Sequence, residues 1–361
     1  MTDYNIALIG CGRIGHILEE DSLRNKPCTH FGGVQGAGLK ITHGCDNNQE
    51  RLENFSKVSG IQISSLYLNH LDLFRENSLD CAIIATPTPF HFKIAKNAIL
   101  SGVKLLVIEK PVSSSLKEAR ELIYLQQKYD VRIFVNHERR YDYRYQSAKR
   151  IIEHGGIGNI TSITGIMGTG PYRGQSNIIE GGGPLLHDGT HLVDIISYFA
   201  GKCNSLSGSF IRETRKSGYE DTAHAWLHFD KDISAYIESG GCKKYFSFEV
   251  DITGTEGRIQ IGNGFNRLFK TEKSKLYQGF KDLKEVTFPL GEKSNCFTNL
   301  YKEVKKNLES PENLNISSTL MDGYHSLEII HGIYYSSFRK NKNIKLPLAP
   351  YKVNLKKIFT L

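Results

Sequence analysis

Asn5-Ile6-Ala7-Leu8-Ile9-Gly10-Cys11-Gly12-Arg13-Ile14-Gly15 is the stretch that decides the fold. Residues 5–9 make a short, mostly apolar run that ends in a glycine, the signature of a short buried strand. The glycines then fall as G-x-G-x-x-G, and His16 to about Leu23 reads as the helix that follows. Strand, glycines and helix in that order form the context a dinucleotide fingerprint requires. The first glycine makes a tight turn, the second lets the backbone approach a pyrophosphate, and the third lets helix and strand pack closely. A helix N-terminus there offers unpaired N–H groups to phosphate.

The rest of the first half extends this pattern. Leu39–Cys45 reads as a second strand, separated from the glycines by a loop, Asn25–Gly38, rich in Gly, Pro and His. Asp46 ends that strand ahead of a helix over Asn48–Val58. An acidic group at this place hydrogen-bonds both ribose hydroxyls and repels a 2′-phosphate. The first basic residue after it is Arg51, so NAD is favoured over NADP. The alternative role for Asp46 is a simple helix N-cap. Strands at Leu79–Ala85, Val103–Ile108 and Val131–Asn136 alternate with helices at about His91–Leu100 and Ser115–Tyr129. Apolar strands alternating with helices predict a parallel, doubly wound sheet. Ligands bind such sheets at the carboxyl ends of the strands. Asp46, Thr86, Glu109, Lys110 and Asn136 all stand at those ends.

The pattern changes at His137. A helix over Asp142–His154 and a strand over Ile160–Met167 lead to a loop carrying Tyr172 and Arg173. The loop runs into Gly181–Asp194, GGGPLLHDGTHLVD, where Pro184 suits the first turn of a helix reaching about Phe199. On that helix His187 and His191, four apart, share a face, beside a buried stripe of Leu185, Leu192, Ile196 and Phe199. Alternating strands follow at about Ser205–Arg212, Thr222–Phe229, Ser234–Gly240, Phe246–Thr253 and Arg258–Ile261. Their short connections predict an antiparallel sheet with one open face. Helices return at Asn295–Leu308 and Leu320–Phe338.

The 361 residues are enough for two domains. The expected division is 1–137, a nucleotide-binding domain, and 138–361, an α+β domain, with the helix at about 320–338 able to pack back on the first. No apolar run approaches the ~20 residues that span a bilayer, so no membrane partner is expected. Seven widely spaced cysteines with no C-x-x-C argue against a disulfide framework and a thiolate metal site, and for a reducing, cytoplasmic setting. No signal peptide is read at the N-terminus. The net charge of +8 is dispersed, and its densest cluster, Arg339–Lys345, comes without a nucleic-acid recognition module. The His187/His191 pair lacks the glutamate of H-E-x-x-H, and no metal is expected.

The two halves together resemble the Gfo/Idh/MocA oxidoreductases, which include glucose–fructose oxidoreductase and inositol dehydrogenases. The resemblance covers nearly the whole chain. Its carriers are Gly10–Gly15, Ala85-Thr86-Pro87 with His91, Glu109-Lys110-Pro111, Arg140, Gly155-Gly156-Ile157-Gly158, Gly181–His191, Glu220-Asp221-Thr222 and Gly254-Thr255-Glu256-Gly257. It implies an N-terminal Rossmann domain and a C-terminal α+β domain whose large, mostly antiparallel sheet builds a homodimer or homotetramer. It also implies hydride transfer between NAD and a carbon bearing oxygen on a sugar, inositol or nucleotide sugar. Cofactor contacts are then expected from Gly10, Gly12, Arg13, Ile14, Gly15, Asp46, Thr86, Pro87, His91, Glu109 and Lys110. Lys110 is the lysine that reaches nicotinamide and substrate, and His191 the histidine near the reacting hydroxyl. His187 stands where the family carries an aspartate, with Asp188 one position later. One position is a turn of about 100° on a helix, so Asp188 is no simple replacement. His187 is assigned to catalysis or proton relay, and Arg140, Tyr172, Arg173, His187 and Asp188 to substrate contact beside Lys110 and His191. Two other classes stay open on the same scaffold: an NAD-dependent glycoside hydrolase working by transient oxidation, and a non-catalytic NAD-binding sugar sensor.

Overall fold

The computed structural model describes residues 4–170, 182–212, 218–310, 312, 315–349 and 358–359. Tyr172, Arg173 and Gly181 lie outside them. The chain divides into two compact units, Met1–Asp142 with Ser294–Tyr324, and Tyr143–Lys293 with His325–Leu361.

The first unit holds strands β1 (Ile6–Ile9), β2 (His43–Cys45), β3 (Leu66–Tyr67), β4 (Cys81–Ile84), β5 (Leu105–Ile108) and β6 (Arg132–Val135). They form one parallel sheet in the order β3-β2-β1-β4-β5-β6. β1, β4 and β5 are buried at every position, as a sheet covered on both faces requires. Helices α1 (His30–Gly36), α2 (Gln49–Ser59), α3 (His70–Glu76), α4 (Thr88–Leu100) and α5 (Leu116–Tyr129) fill the connections. Local chemistry sets their ends. Asn48 caps α2 by accepting from Arg51 N, and Ser115 caps α5 by accepting from Glu118 N.

One local expectation is corrected. The glycine motif is followed only by turns and a 3₁₀ segment, Ile17–Glu20, whereas the α-helix comes later, at His30–Gly36, inside the stretch read as a loop. Thr29 starts α1 by accepting from Gly32 N. Its glycines then permit a close helix pairing: a Cβ on Gly33 would stand 2.8 Å from Phe297 Cβ, and one on Gly36 2.6 Å from Thr298 Oγ1. Helix propensity disfavours such a glycine-rich segment, and tertiary packing overrides it.

The second unit opens with α6 (Tyr143–Glu153) and β7 (Ile160–Gly168). The segment Pro184–Ala200 is not one continuous helix. It is two pieces, α7 (Pro184–His187) and α8 (Gly189–Ala200), broken at Asp188. The bond from His191 N to Asp188 O is of the tighter i to i−3 kind. Gly189 is pressed so close that a Cβ would lie 2.6 Å from Ser239 Oγ. Strands β8 (Cys203–Ile211), β9 (Thr222–Phe229), β10 (Ser234–Gly240), β11 (Ser247–Gly254), β12 (Gly257–Gly262), β13 (Phe265–Lys273) and β14 (Lys281–Val286) follow.

Helices α9 (Cys296–Glu309) and α10 (Leu320–Phe338) precede β15 (Ile344–Lys345). The nine strands run β14-β13-β12-β11-β7-β10-β9-β8-β15, antiparallel except for β7 beside β10. Ala223, Ala225, Leu227 and Phe229 of β9 point inward, while Trp226 on the other face is 55% exposed. β14 was not legible as a strand. Its sequence, KDLKEV, lacks a buried face; its backbone pairs with β13 at the sheet edge, where exposed Arg267–Glu285 and Lys284–Glu272 ion pairs cross the two strands.

α9 belongs with the first unit, where Tyr301 and Val304 join the core of Phe31, Val34 and Leu8. Burying a side chain of this size contributes roughly 1.5–3 kcal/mol. α10 straddles the division, with Leu320–Tyr324 in the first unit and the rest in the second. A single cut after residue 137 therefore differs from the observed division, because the chain returns to pack on α1. No helix among the described residues is long and apolar enough to cross a membrane.

Candidate active site

In the first unit the strand ends assemble around the glycine loop. Gly10 has φ +99°, and a Cβ there would stand 2.6 Å from the Ala85 carbonyl carbon. A Cβ on Gly15 would stand 2.3 Å from Gly10 O, so the loop closes on itself as the fingerprint demands. Gly12 is different: its missing Cβ faces open space, with Arg51 Nη1 the nearest atom at 3.9 Å. Arg13 is exposed and Ile14 half-buried.

Asp46 sits at the end of β2, 7% exposed. Its carboxylate accepts from Cys11 N and from Asn48 N, both at 2.9 Å. It therefore ties the glycine loop to β2, while Asn48 is the cap of α2. Arg51 Nη1 lies 3.9 Å from Asp46 Oδ1.

At the end of β4, Thr86 Oγ1 is buried and has no hydrogen-bond partner among the described residues. Pro87 is exposed and precedes α4. His91 is buried below this loop, with Nε2 2.7 Å from Thr86 O and Nδ1 2.8 Å from Pro111 O. A neutral ring donates to one of these carbonyls at a time. Burial pushes its pKa down, against the pull of both carbonyls and of Glu109. His91 thus clamps two strand-end loops together.

Glu109, at the end of β5, is 7% exposed. Its Oε1 accepts from Asn136 Nδ2 (2.6 Å) and faces His30 Nε2 (3.0 Å), and its Oε2 accepts from Lys110 N (3.2 Å). Burial alone would push this carboxyl up. The hydrogen bond and charge of His30, the charge of Lys110 and the Asn136 bond outweigh it and bring it down to about 2. Lys110 follows, half-buried. Asn136 Oδ1 is a second buried polar atom with no partner among the described residues.

Arg140 is 6% exposed; its guanidinium pairs with Asp322 (3.1 Å) and donates to Ser317 O (3.1 Å). It ties the end of β6 to the returning chain.

The second unit carries the histidines. His191 is 8% exposed on α8, whose other buried residues include Leu192, Val193, Ile195, Ile196 and Phe199. His187, on α7, is more exposed, and its Nδ1 lies 3.0 Å from Asp188 Oδ1. The break at Asp188 falls between the two histidines. Asp194 is fully buried and accepts from Ser326 Oγ at 3.4 Å. Glu220 holds the start of α7: its Oε1 accepts from Leu185 N (2.8 Å) and Tyr334 Oη (3.0 Å). Burial pushes Glu220 up to about 7 despite these bonds.

Known proteins match both units. Residues 4–137 match the family described as "Oxidoreductase family, NAD-binding Rossmann fold", and residues 145–260 match the "GFO/IDH/MocA C-terminal domain". The chain belongs to the Gfo/Idh/MocA oxidoreductase family. It is an NAD-dependent oxidoreductase of that family. The chain is 25% identical over 273 residues to the D-apiose dehydrogenase of Rhizobium rhizogenes, covering 73% of this chain and 75% of the relative. It is 26% identical over 262 residues to the scyllo-inositol 2-dehydrogenase (NAD(+)) of Bacillus subtilis, covering 71% and 73%. In fold it is similar to the WlbA dehydrogenase from Bordetella pertussis, solved in complex with NADH and UDP-GlcNAcA. That likeness has a TM-score of 0.77 at 21% identity and covers 96% of this chain and 100% of the other.

This oxidoreductase has a strand-end site that fits a dinucleotide: an open glycine at Gly12, an acidic group at Asp46, and two orphaned polar atoms on Thr86 and Asn136. His30 and Asn136 are the side chains on Glu109 Oε1. Asn136 was legible as a strand end. His30 was not, because it lies in the stretch read as a loop.

Proposed function

We propose that this oxidoreductase moves a hydride between NAD and a secondary alcohol or ketone carbon of a sugar, inositol or nucleotide sugar, with Lys110 and His191 as its acid–base and oxyanion pair. The observation that carries the reading is Lys110, at the end of β5 behind a buried, ionised Glu109, in a chain that matches both domains of an NAD-binding family. The names of the relatives, an apiose dehydrogenase and an inositol dehydrogenase, support a polyhydroxylated substrate. Gly10, Gly12, Gly15, Asp46 and Thr86 would hold the cofactor, with Asp46 favouring NAD over NADP. When bound, NAD supplies the hydride acceptor.

His191 removes the hydroxyl proton in the oxidative direction. Imidazole suits that role because its ordinary pKa of about 6.5 lies near working pH. Lys110 donates to the oxygen on which negative charge develops. His187, paired with Asp188, contacts substrate or relays the proton outward. The open face of the nine-stranded sheet, which carries the exposed Trp226 on β9, joins a second copy in a homodimer or homotetramer.

NADH formation across free, phosphorylated and nucleotide-linked sugars and inositols tests the reading. Lys110→Ala and His191→Ala are each expected to lower kcat about 100-fold or more, the usual range for a positioned acid or base. NADH affinity, from fluorescence titration, should change only a few-fold. Near-normal turnover in both variants would overturn the assignment. NADH binding without turnover on any member of the panel would instead favour a sensor.

A further inference from the structure

Glu109 stands at the head of a buried chain of polar groups. His30 Nε2 is 3.0 Å from Glu109 Oε1, and His30 Nδ1 is 2.6 Å from the Tyr301 hydroxyl. Tyr301 and His30 are each 0% exposed. In either protonation state of the ring, Nε2 carries the hydrogen that Glu109 accepts, while Tyr301 occupies the other nitrogen and fixes the ring's orientation. Burial pushes the Tyr301 phenol well above its ordinary value, so the hydroxyl keeps its proton.

These three groups come from remote parts of the chain: α1, the end of β5, and the returning helix α9. A buried carboxylate without donors is strongly disfavoured. Here each oxygen has a donor: His30 and Asn136 on Oε1, and the Lys110 main chain on Oε2. The last bond fixes the backbone from which the Lys110 side chain starts. The charge of Lys110 is also among the causes that hold Glu109 down.

We propose that His30 and Tyr301 are positioning residues for Lys110: acting in series through the Glu109 carboxylate, they fix the root of the lysine and hold a negative charge beside it. The proposal rests on the reading of Lys110 as a residue of the site. It gives the returning segment Ser294–Tyr324 a part in the chemistry through Tyr301, besides packing.

The test uses the full chain and acetic anhydride as a lysine probe, with the acetylation rate of each lysine followed by peptide mass spectrometry. The exposed Lys93 serves as an internal control. Tyr301→Phe and His30→Leu are each expected to change the Lys110 rate at least threefold at pH 8, with Lys93 unchanged, because the backbone at the root of the lysine is no longer held by the Glu109 carboxylate. His30→Gln, which returns an N–H to the carboxylate, should restore the rate to within twofold of the parent. Circular dichroism and NADH titration show that each variant is folded. Should His30→Leu fail to fold, Tyr301→Phe, which removes one oxygen atom, decides. Unchanged Lys110 rates in folded variants would overturn the proposal while leaving the role of Lys110 standing. Retained turnover in Lys110→Ala would sink that role instead, whatever the labelling shows.

Discussion

Replacing Glu109 by glutamine removes one ionisable group from the buried end of β5 and leaves an acceptor oxygen in place. The folded carboxyl titrates at about 2, against an ordinary 4.5. A group whose folded pKa is depressed stabilises the fold above the unfolded value, and that contribution is lost as pH falls through the folded one. The window here is therefore 4.5 down to about 2. The full difference corresponds to roughly 3 kcal/mol. At pH 3.5 the unfolded chain already binds close to a full proton at this position and the folded chain almost none, which removes about 1.4 kcal/mol of it. The stability of the parent relative to Glu109→Gln should thus fall by about 1.4 kcal/mol between pH 7 and pH 3.5. Urea unfolding at a series of pH values measures this. Circular dichroism is the suitable probe, because the single tryptophan, Trp226, lies in the second unit. Other carboxylates titrate alike in both proteins and cancel in the difference. A difference that stays constant with pH would refute the reasoning: the donors on Glu109 would not be holding it ionised.

Glu220 should show the opposite sign. Its folded pKa is raised to about 7, so its contribution is present below 4.5 and lost as pH rises through 7. Glu220→Gln, measured by the same urea series, should gain about 3 kcal/mol on the parent between pH 4 and pH 8.5, and a flat difference would count against a buried neutral acid. Trp226→Glu places a charge on the open face of the nine-stranded sheet. Light scattering should show the proposed homodimer or homotetramer falling to a smaller species with the fold intact, and an unchanged mass would remove that face as the interface.

Much of the first unit was legible because strand burial and helix periodicity are local properties. Cys81–Ile84 and Leu105–Ile108 are short apolar runs bounded by turns, and both became fully buried parallel strands. The glycine loop could be read for the same reason: the positions of Gly10 and Gly15 follow from atoms a few residues away or on the adjoining strand. Local rules failed where long-range packing decides. α1 has too many glycines to be read as a helix, and those glycines lie close against α9. β14 has no apolar face and is recognisable only beside β13. Next to the break at Asp188, Gly189 lies against Ser239 on β10, a contact that no periodicity encodes.

The candidate site divides along the same line. The sequence by itself determined the fold class, the place of the glycine cradle, and which residues stand at strand ends, since chain order and strand direction fix those. It could name Asp46, Glu109 and Lys110 without knowing their surroundings. Only the tertiary structure decided what each one touches. It gave Asp46 to the Cys11 N–H, turned Arg140 toward Asp322, and set His30 and Tyr301 behind Glu109 across 79 and 192 residues of chain. Hydrogen bonds of about 3 Å between such remote groups depend on how helices and strands pack, and packing is a property of the whole chain rather than of any stretch of it.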